Sequence, residues 1–263
     1  MDKAKKKKKE ISDSRSALVV QSNHLIRDVR TLRYGLTTQQ QRIIVYLISK
    51  VCKDDKELKR VKFNISEYCD VCNLQKNGTE FERIKESLKS LRDKSYWIKN
   101  DDGDEILFAW VDTLVIRKNK SVEVILSEAL RPYLLNLSQS FTAYELINAL
   151  CLRQKYSLRM YELLKSYMWL GKWQTSVKNF RETMYLKEKY PLFKELKRNV
   201  IDCSLNEINK YCDITVTYET IKKGRSINEI VFYIQEKRGV QLTMDLMLNQ
   251  EERLAIRKRQ NNG

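Results

Sequence analysis

Leu192 to Lys237 reads LFKELKRNVIDCSLNEINKYCDITVTYETIKKGRSINEIVFYIQEK, and this stretch decides the fold. Its first part carries apolar residues at Phe193, Leu196, Val200 and Cys203, the 3-4-3 spacing of one helix face. Its second part alternates. Ile214, Val216 and Tyr218 share one face, as do Ile230, Phe232 and Ile234 on a returning run. A turn at Gly224 separates the two runs, so the pattern predicts a β-hairpin. The tip carries Lys222, Lys223 and Arg225, with no acid in the turn to balance them.

Working towards the N-terminus, YSLRMYELLKSYMWL is apolar at Leu158, Tyr161, Leu164 and Met168 and predicts a helix. KWQTSV predicts a short strand and VKNFRETM a short helix. Helix, strand, helix, helix, hairpin is the order of a winged helix, a variant of helix-turn-helix. The first half repeats the plan. A helix is expected from Thr38 to Val51, a strand at RVKFNIS, a small helix at Glu67–Val71 and a longer one at Glu80–Arg92. The longer helix has Phe81, Ile84, Leu88 and Leu91 at the same 3-4-3 spacing as its later counterpart. KSYWIK and EILFAWVDT flank NDDGD as a hairpin, which is read as the first domain's wing. TLVIRK and SVEVILS form a second β pair, and a short helix follows at 127–137. Three capping boxes are expected: Thr37 with Gln40, Thr79 with Glu82, and Thr142 with Glu145, the last opening a helix at AYELINALCL.

The fold class is therefore α+β, two tandem winged-helix domains. The expected division is a basic disordered arm at 1–19, a first domain at 20–137, a second at 138–239 and a charged tail at 240–263. The chain has 263 residues, 42% of them hydrophobic, enough to bury a core. Only 7 Gly and 2 Pro occur, which favours helices over a loop-rich sandwich.

The net charge is +16. Six lysines against Asp2 and Glu10 in the first ten residues account for only +4 of it, so the body itself is basic and suits a polyanion, most simply nucleic acid. The lysine run is either an arm that touches phosphates loosely or a solubilising extension. No run approaches the ~20 apolar residues of a membrane helix, and no apolar segment follows the basic start as in a secretory signal.

Catalytic and metal-binding options are thin. Cys69 and Cys72 form one CxxC without a second pair, and the single histidine, His24, is distant. They read as small apolar residues on a short helix. No paired-histidine nicking site is present, and GKW at Gly171 lacks the remainder of a P-loop. No catalytic residue, metal or cofactor is expected.

The candidate DNA-binding residues follow from the fold. Lys194, Lys197, Arg198 and Ile201 fall at i, i+3, i+4 and i+7, away from the apolar stripe. In a helix-turn-helix the second helix enters the major groove with its N-terminal residues nearest the bases. Lys187 and Lys189 lie just before that helix, and Lys222, Lys223 and Arg225 form the wing. The first domain offers Lys76, Arg83 and Lys85, diluted by Glu80, Glu82 and Glu86, beside an acidic hairpin turn. It is expected to bind DNA weakly or to pair with another subunit.

SNHLIRDVRTLRYGLTTQQQRIIVYLISKV, FTAYELINALCLRQKYSLRMYELLKSY and EINKYCDITVTYETIKKGRSINEIVFYI resemble the plasmid initiator replication proteins of the iteron-binding, Rep_3-like type, over about residues 20–236. The resemblance implies two winged-helix domains that bind repeated double-stranded origin sites as monomers and open adjacent AT-rich DNA. It implies recruitment of host replication initiator and helicase-loading proteins. It also implies dimers, formed through the first domain, that bind an operator and repress the protein's own promoter. The base-reading role falls on Lys194, Lys197 and Arg198, with Lys222, Lys223 and Arg225 as the wing. A cytoplasmic, plasmid-associated setting follows, with no membrane and no small-molecule substrate. A dimeric winged-helix repressor without an origin role is the alternative.

Overall fold

The structure is a computed structural model that describes residues 2–27, 35–58, 60–99, 103–186 and 188–237. Two units emerge: residues 1–150 with 180–187, and residues 151–179 with those from 188 onward.

The first unit opens with α1 (Asp2–Arg15), β1 (Leu18–Ser22), α2 (Asn23–Arg27) and α3 (Thr38–Ile48). β2 (Val61–Asn64), α4 (Ile65–Cys72) and α5 (Gly78–Asp93) follow. Then come β3 (Ser95–Lys99), β4 (Glu105–Ala109), β5 (Val111–Ile116) and β6 (Ser121–Leu126). α6 (Arg131–Leu134), β7 (Phe141–Glu145) and α7 (Leu146–Cys151) complete the series to the unit boundary. Of the stripe expected on α5, Ile84, Leu88 and Leu91 are fully buried and Phe81 is half-buried. Tyr46 packs edge-on against Phe63 at 5.3 Å and Tyr68 at 5.0 Å, and Phe63 meets Tyr68 at a tilt, 6.1 Å between centroids.

Helix starts are set by side-chain caps, though not always those expected. Thr37 accepts from the Gln40 N–H at 3.2 Å while the Gln40 side chain accepts from the Thr37 N–H at 2.9 Å. For α5 the cap is Asn77, two residues before the expected Thr79; its Oδ1 accepts from the Glu80 N–H at 2.8 Å. Asn64 caps α4, with Glu67 returning a bond to the Asn64 N–H at 3.2 Å. The expected cap at Thr142 is overturned. Residues Phe141–Glu145 are strand β7, paired antiparallel with β1 from Leu18↔Glu145 to Ser22↔Phe141. Thr142 donates its hydroxyl to Asn23 Oδ1, and helix α7 begins only at Leu146. The ladder with a segment more than a hundred residues away overrides the local helix signal.

The N-terminal residues expected to be a disordered arm form α1 instead. Its Lys7 pairs with Asp70 at 3.0 Å, and Arg15 donates to the carbonyls of Val71 and Asp70 at 2.9 and 3.0 Å. Those carbonyls close the C-terminal turn of α4, where a cation satisfies orphan acceptors and the helix dipole together.

The first unit's sheet has the order β2-β6-β5, all antiparallel. β3 and β4 pair only with each other. In the second unit α8 (Ser157–Ser166) and β8 (Lys172–Ser176) come first, α9 (Val177–Thr183) crosses the unit boundary at Phe180, and one continuous helical run follows. That run comprises α10 (Phe193–Leu196), a π-helical turn (Lys197–Asp202) and α11 (Cys203–Tyr211). The hairpin β9 (Ile214–Lys223) and β10 (Ser226–Glu236) follows, and the sheet order is β8-β10-β9. Ile214, Val216, Ile230, Phe232 and Ile234 are buried as the alternation predicts. Trp173 stacks on Phe232 at 5.3 Å and on Tyr167 at 5.4 Å. Asp213, at the base of β9, accepts from Tyr161 at 2.9 Å and pairs with Lys165 at 2.6 Å, tying the hairpin to α8.

The two sheets correct the assignment of the first wing. In each winged helix a short strand pairs with the last strand of the wing hairpin: β8, after α8, with β10, and β2, after α3, with β6. The counterpart of the β9–β10 wing is therefore β5–β6, and the acidic β3–β4 hairpin is an insertion ahead of it. The true first wing turns at Arg117, Lys118, Asn119 and Lys120, and its tip is basic.

Candidate nucleic-acid interface

The second unit places its cations on two elements that face one groove. The helical run buries Leu196, Val200, Ile201, Leu205 and Ile208. Ile201, expected on the basic face, is thus a core residue. The reason is the π turn: i→i+5 bonding changes the angular step, so the adjacent Val200 and Ile201 both reach the core. Asn199 donates its side-chain amide to the Glu195 carbonyl at 2.9 Å, satisfying an acceptor beside the turn. Lys194, Lys197 and Arg198 stay exposed.

The wing extends beyond the core. From Glu219 to Lys223 every residue of β9 is exposed. Gly224, with φ of +65°, supplies the backbone conformation that a two-residue hairpin turn demands, leaving Lys222, Lys223 and Arg225 exposed around it. The register shifts between Ile227 and Glu229, a bulge that adds twist to the wing. An open groove of about 650 Å³ lies between helix and wing. Phe193, Lys194, Lys197 and Asp202 line one wall, and Tyr218, Glu219, Thr220 and Ile227 the other.

Among the described residues, Lys197 is the base-reading candidate with an acid partner. It pairs with Asp202 at 2.7 Å, and its ammonium lies 5.7 Å from the centre of the Tyr218 ring. The Asp202 hydrogen bond holds its pKa above the ordinary lysine value. Lys189 is exposed, and Lys187 lies outside the described residues.

The first unit's candidates are brought together differently. Lys76 pairs with Asp70, Arg83 with Glu80 at 3.6 Å and Lys85 with Glu82 at 3.3 Å, so each is engaged locally. The basic surface that sequence reading missed is the β2–β6–β5 sheet. Glu123, nearly buried, accepts from Arg60 at 2.8 Å and Arg117 at 3.1 Å, with Lys62 at 3.7 Å. The Arg60 hydrogen bond, aided by the other cations, holds the Glu123 carboxyl below its ordinary value against the opposing effect of burial. Lys118 and Lys120 are exposed at the turn. Only strand pairing brings these residues together; RKNK alone reads as an ordinary polar turn.

Cys69 and Cys72 are buried on α4, and burial pushes the Cys72 thiol up to about 12. Among the described residues no group of three or more His, Cys, Asp or Glu is placed to hold a metal ion. No helix among them is long and apolar enough to cross a membrane.

Two winged helices in tandem, each with a basic wing, define a double winged-helix protein. The model of the family described as Initiator Replication protein, WH1 matches residues 18–165, and that of Initiator Rep protein, WH2 matches residues 176–234. The chain belongs to this family of replication initiators, whose winged-helix domains are DNA-binding. It is 23% identical over 228 residues to an uncharacterized 27.6 kDa protein of Escherichia coli, covering 81% of this chain and 93% of that one. Crystal structures of domains 2 and 3 of RctB align with TM-scores of 0.46 and 0.39, at 11% and 10% identity. They cover 68% and 75% of this chain, and 75% and 80% of theirs.

Proposed function

We propose that this initiator binds repeated sequences in duplex origin DNA. In this reading its second unit reads bases with Lys194, Lys197 and Arg198, with Lys189 beside them, and grips phosphates with Lys222, Lys223 and Arg225. The observation that carries the reading is the groove between α10 and β9, which has recognition-helix cations on one wall and runs out to a wing with a basic tip. Bound in this way, the protein opens adjoining AT-rich DNA and recruits host replication proteins. As a dimer it represses its own promoter.

The first unit contributes in two ways. The exposed β5–β6 turn supports an auxiliary phosphate contact through Arg117, Lys118 and Lys120. Self-association is supported by the β3–β4 hairpin, where Trp97, Ile106 and Leu107 are exposed.

Footprinting on the DNA flanking the gene tests the reading. The expected result is protection of direct repeats of ~20 bp, about two helical turns per site. Uniform protection without preference for repeats would overturn it. Autonomous maintenance of a circle carrying the gene and that DNA separates an initiator at its own origin from a repressor alone.

A further inference from the structure

Lys197 and Asp202 are five residues apart. On a regular α-helix that spacing separates two side chains by roughly 140° around the axis. The π turn that spans them returns the two to one side, and Nζ meets Oδ2 at 2.7 Å. The other carboxylate oxygen is held as well: the Tyr218 hydroxyl, from β9, donates to Asp202 Oδ1 at 2.8 Å. Helix and wing are thus joined through one carboxylate. Tyr218 in turn packs against Phe232 of the hairpin core at 5.9 Å, so its hydroxyl is presented from a fixed ring. The carboxylate lines the same groove as Lys194 and Lys197. The pair is only partly covered: 49% of the Lys197 side chain and 36% of the Asp202 side chain remain exposed.

An acid fixed at this place works against the proposed DNA contact. Attraction between cations and phosphates supplies nearly all non-specific DNA binding. A carboxylate that already pairs Lys197 removes one cation from that attraction, whatever the base sequence. Specificity is a difference between two affinities, and it rises when the wrong complex is weakened. We infer that Asp202, held by Tyr218, is a specificity-determining positioning residue: it occupies Lys197 so that DNA offering only its phosphate backbone cannot engage it. This rests on the DNA-reading role proposed for the helical run.

The test is binding of the full chain to a random-sequence duplex over a salt series. D202N is expected to bind that duplex about tenfold tighter than the unsubstituted protein. Its log–log salt slope should steepen by about one, the signature of one further phosphate contact. Asp202→Glu keeps the charge and should keep the original slope. In a Lys197→Met background the gain from D202N should vanish, because the carboxylate then has no cation to occupy. D202N with unchanged or weaker binding, an unchanged slope, or a gain that persists without Lys197 overturns the inference. Asp202→Ser serves as the second neutral variant if D202N unfolds. If the unsubstituted chain shows no salt-dependent duplex binding, the DNA-reading role itself fails and takes the inference with it. Binding that is normal in the unsubstituted chain but insensitive at Asp202 removes the inference alone.

Discussion

Arg198 lies exposed on the π turn and Lys223 lies exposed beside the hairpin tip, and neither has an acid partner among the described residues. Their proposed tasks differ, so their substitutions should differ. Arg198→Ala should lose about 1–3 kcal/mol on repeat DNA and relax the preference at one base pair. Lys223→Ala should weaken every duplex about equally and lower the salt slope by about one. Fluorescence anisotropy on repeat and scrambled duplexes separates the two, and identical behaviour would show helix and wing to be misassigned. The cysteines give a structural check. Cys52 is exposed and should label with a thiol reagent under native conditions. Cys69 and Cys72 are buried and should label only after unfolding, since burial raises both thiols.

At the scale of elements, two attachments have predictable strength. α1 is held to α4 through Asp70, whose carboxyl burial would raise. The hydrogen bonds from Lys76 and Lys7 outweigh that effect and lower it. A lowered carboxylate contributes stability that is present above its unfolded pKa and lost as pH falls through the folded value. Acidifying below the ordinary carboxylate range should therefore loosen the N-terminal part of α1 around Lys7, and Asp70→Asn should do so at neutral pH, while Arg15 keeps its bonds to the α4 carbonyls. Hydrogen exchange of the α1 amides would report both, with α8 unaffected. In the second unit Asp213 carries the bond from Tyr161 and the largely buried pair with Lys165. Asp213→Ala should cost about 3 kcal/mol in chemical denaturation, because it strands a buried ammonium. The π turn is not legible in the sequence. The 3-4-3 stripe placed Leu196 and Val200 correctly, but a uniform helical step puts Ile201 outside, where the structure buries it completely.

For the whole molecule, the five cations of helix and wing other than Lys197, which Asp202 occupies, imply a log–log salt slope of about −4.5 on random-sequence duplex DNA, if each meets one phosphate. A titration from low to moderate salt measures it, and a slope near zero would contradict the proposed interface. The first unit's basic sheet should add to the slope on longer duplexes, an outcome that Lys118→Ala with Lys120→Ala should reverse. The sequence by itself determined the Ile84–Leu88–Leu91 face of α5, the alternation of β9 and β10, the basic tip at Lys222–Arg225 and hence two winged helices in tandem. These signals are local: side chains a few residues apart share a face whatever the remainder of the chain does. Tertiary structure alone decided which hairpin is the first wing. β5–β6 takes that role because β2 pairs with β6, which reverses the charge read for that wing from NDDGDE. It likewise made a strand of Phe141–Glu145 by pairing it with β1, and it joined Asp202 to Tyr218 across the groove. Ladders and contacts between residues distant in sequence leave no periodic trace in either segment, so only the folded chain reveals them.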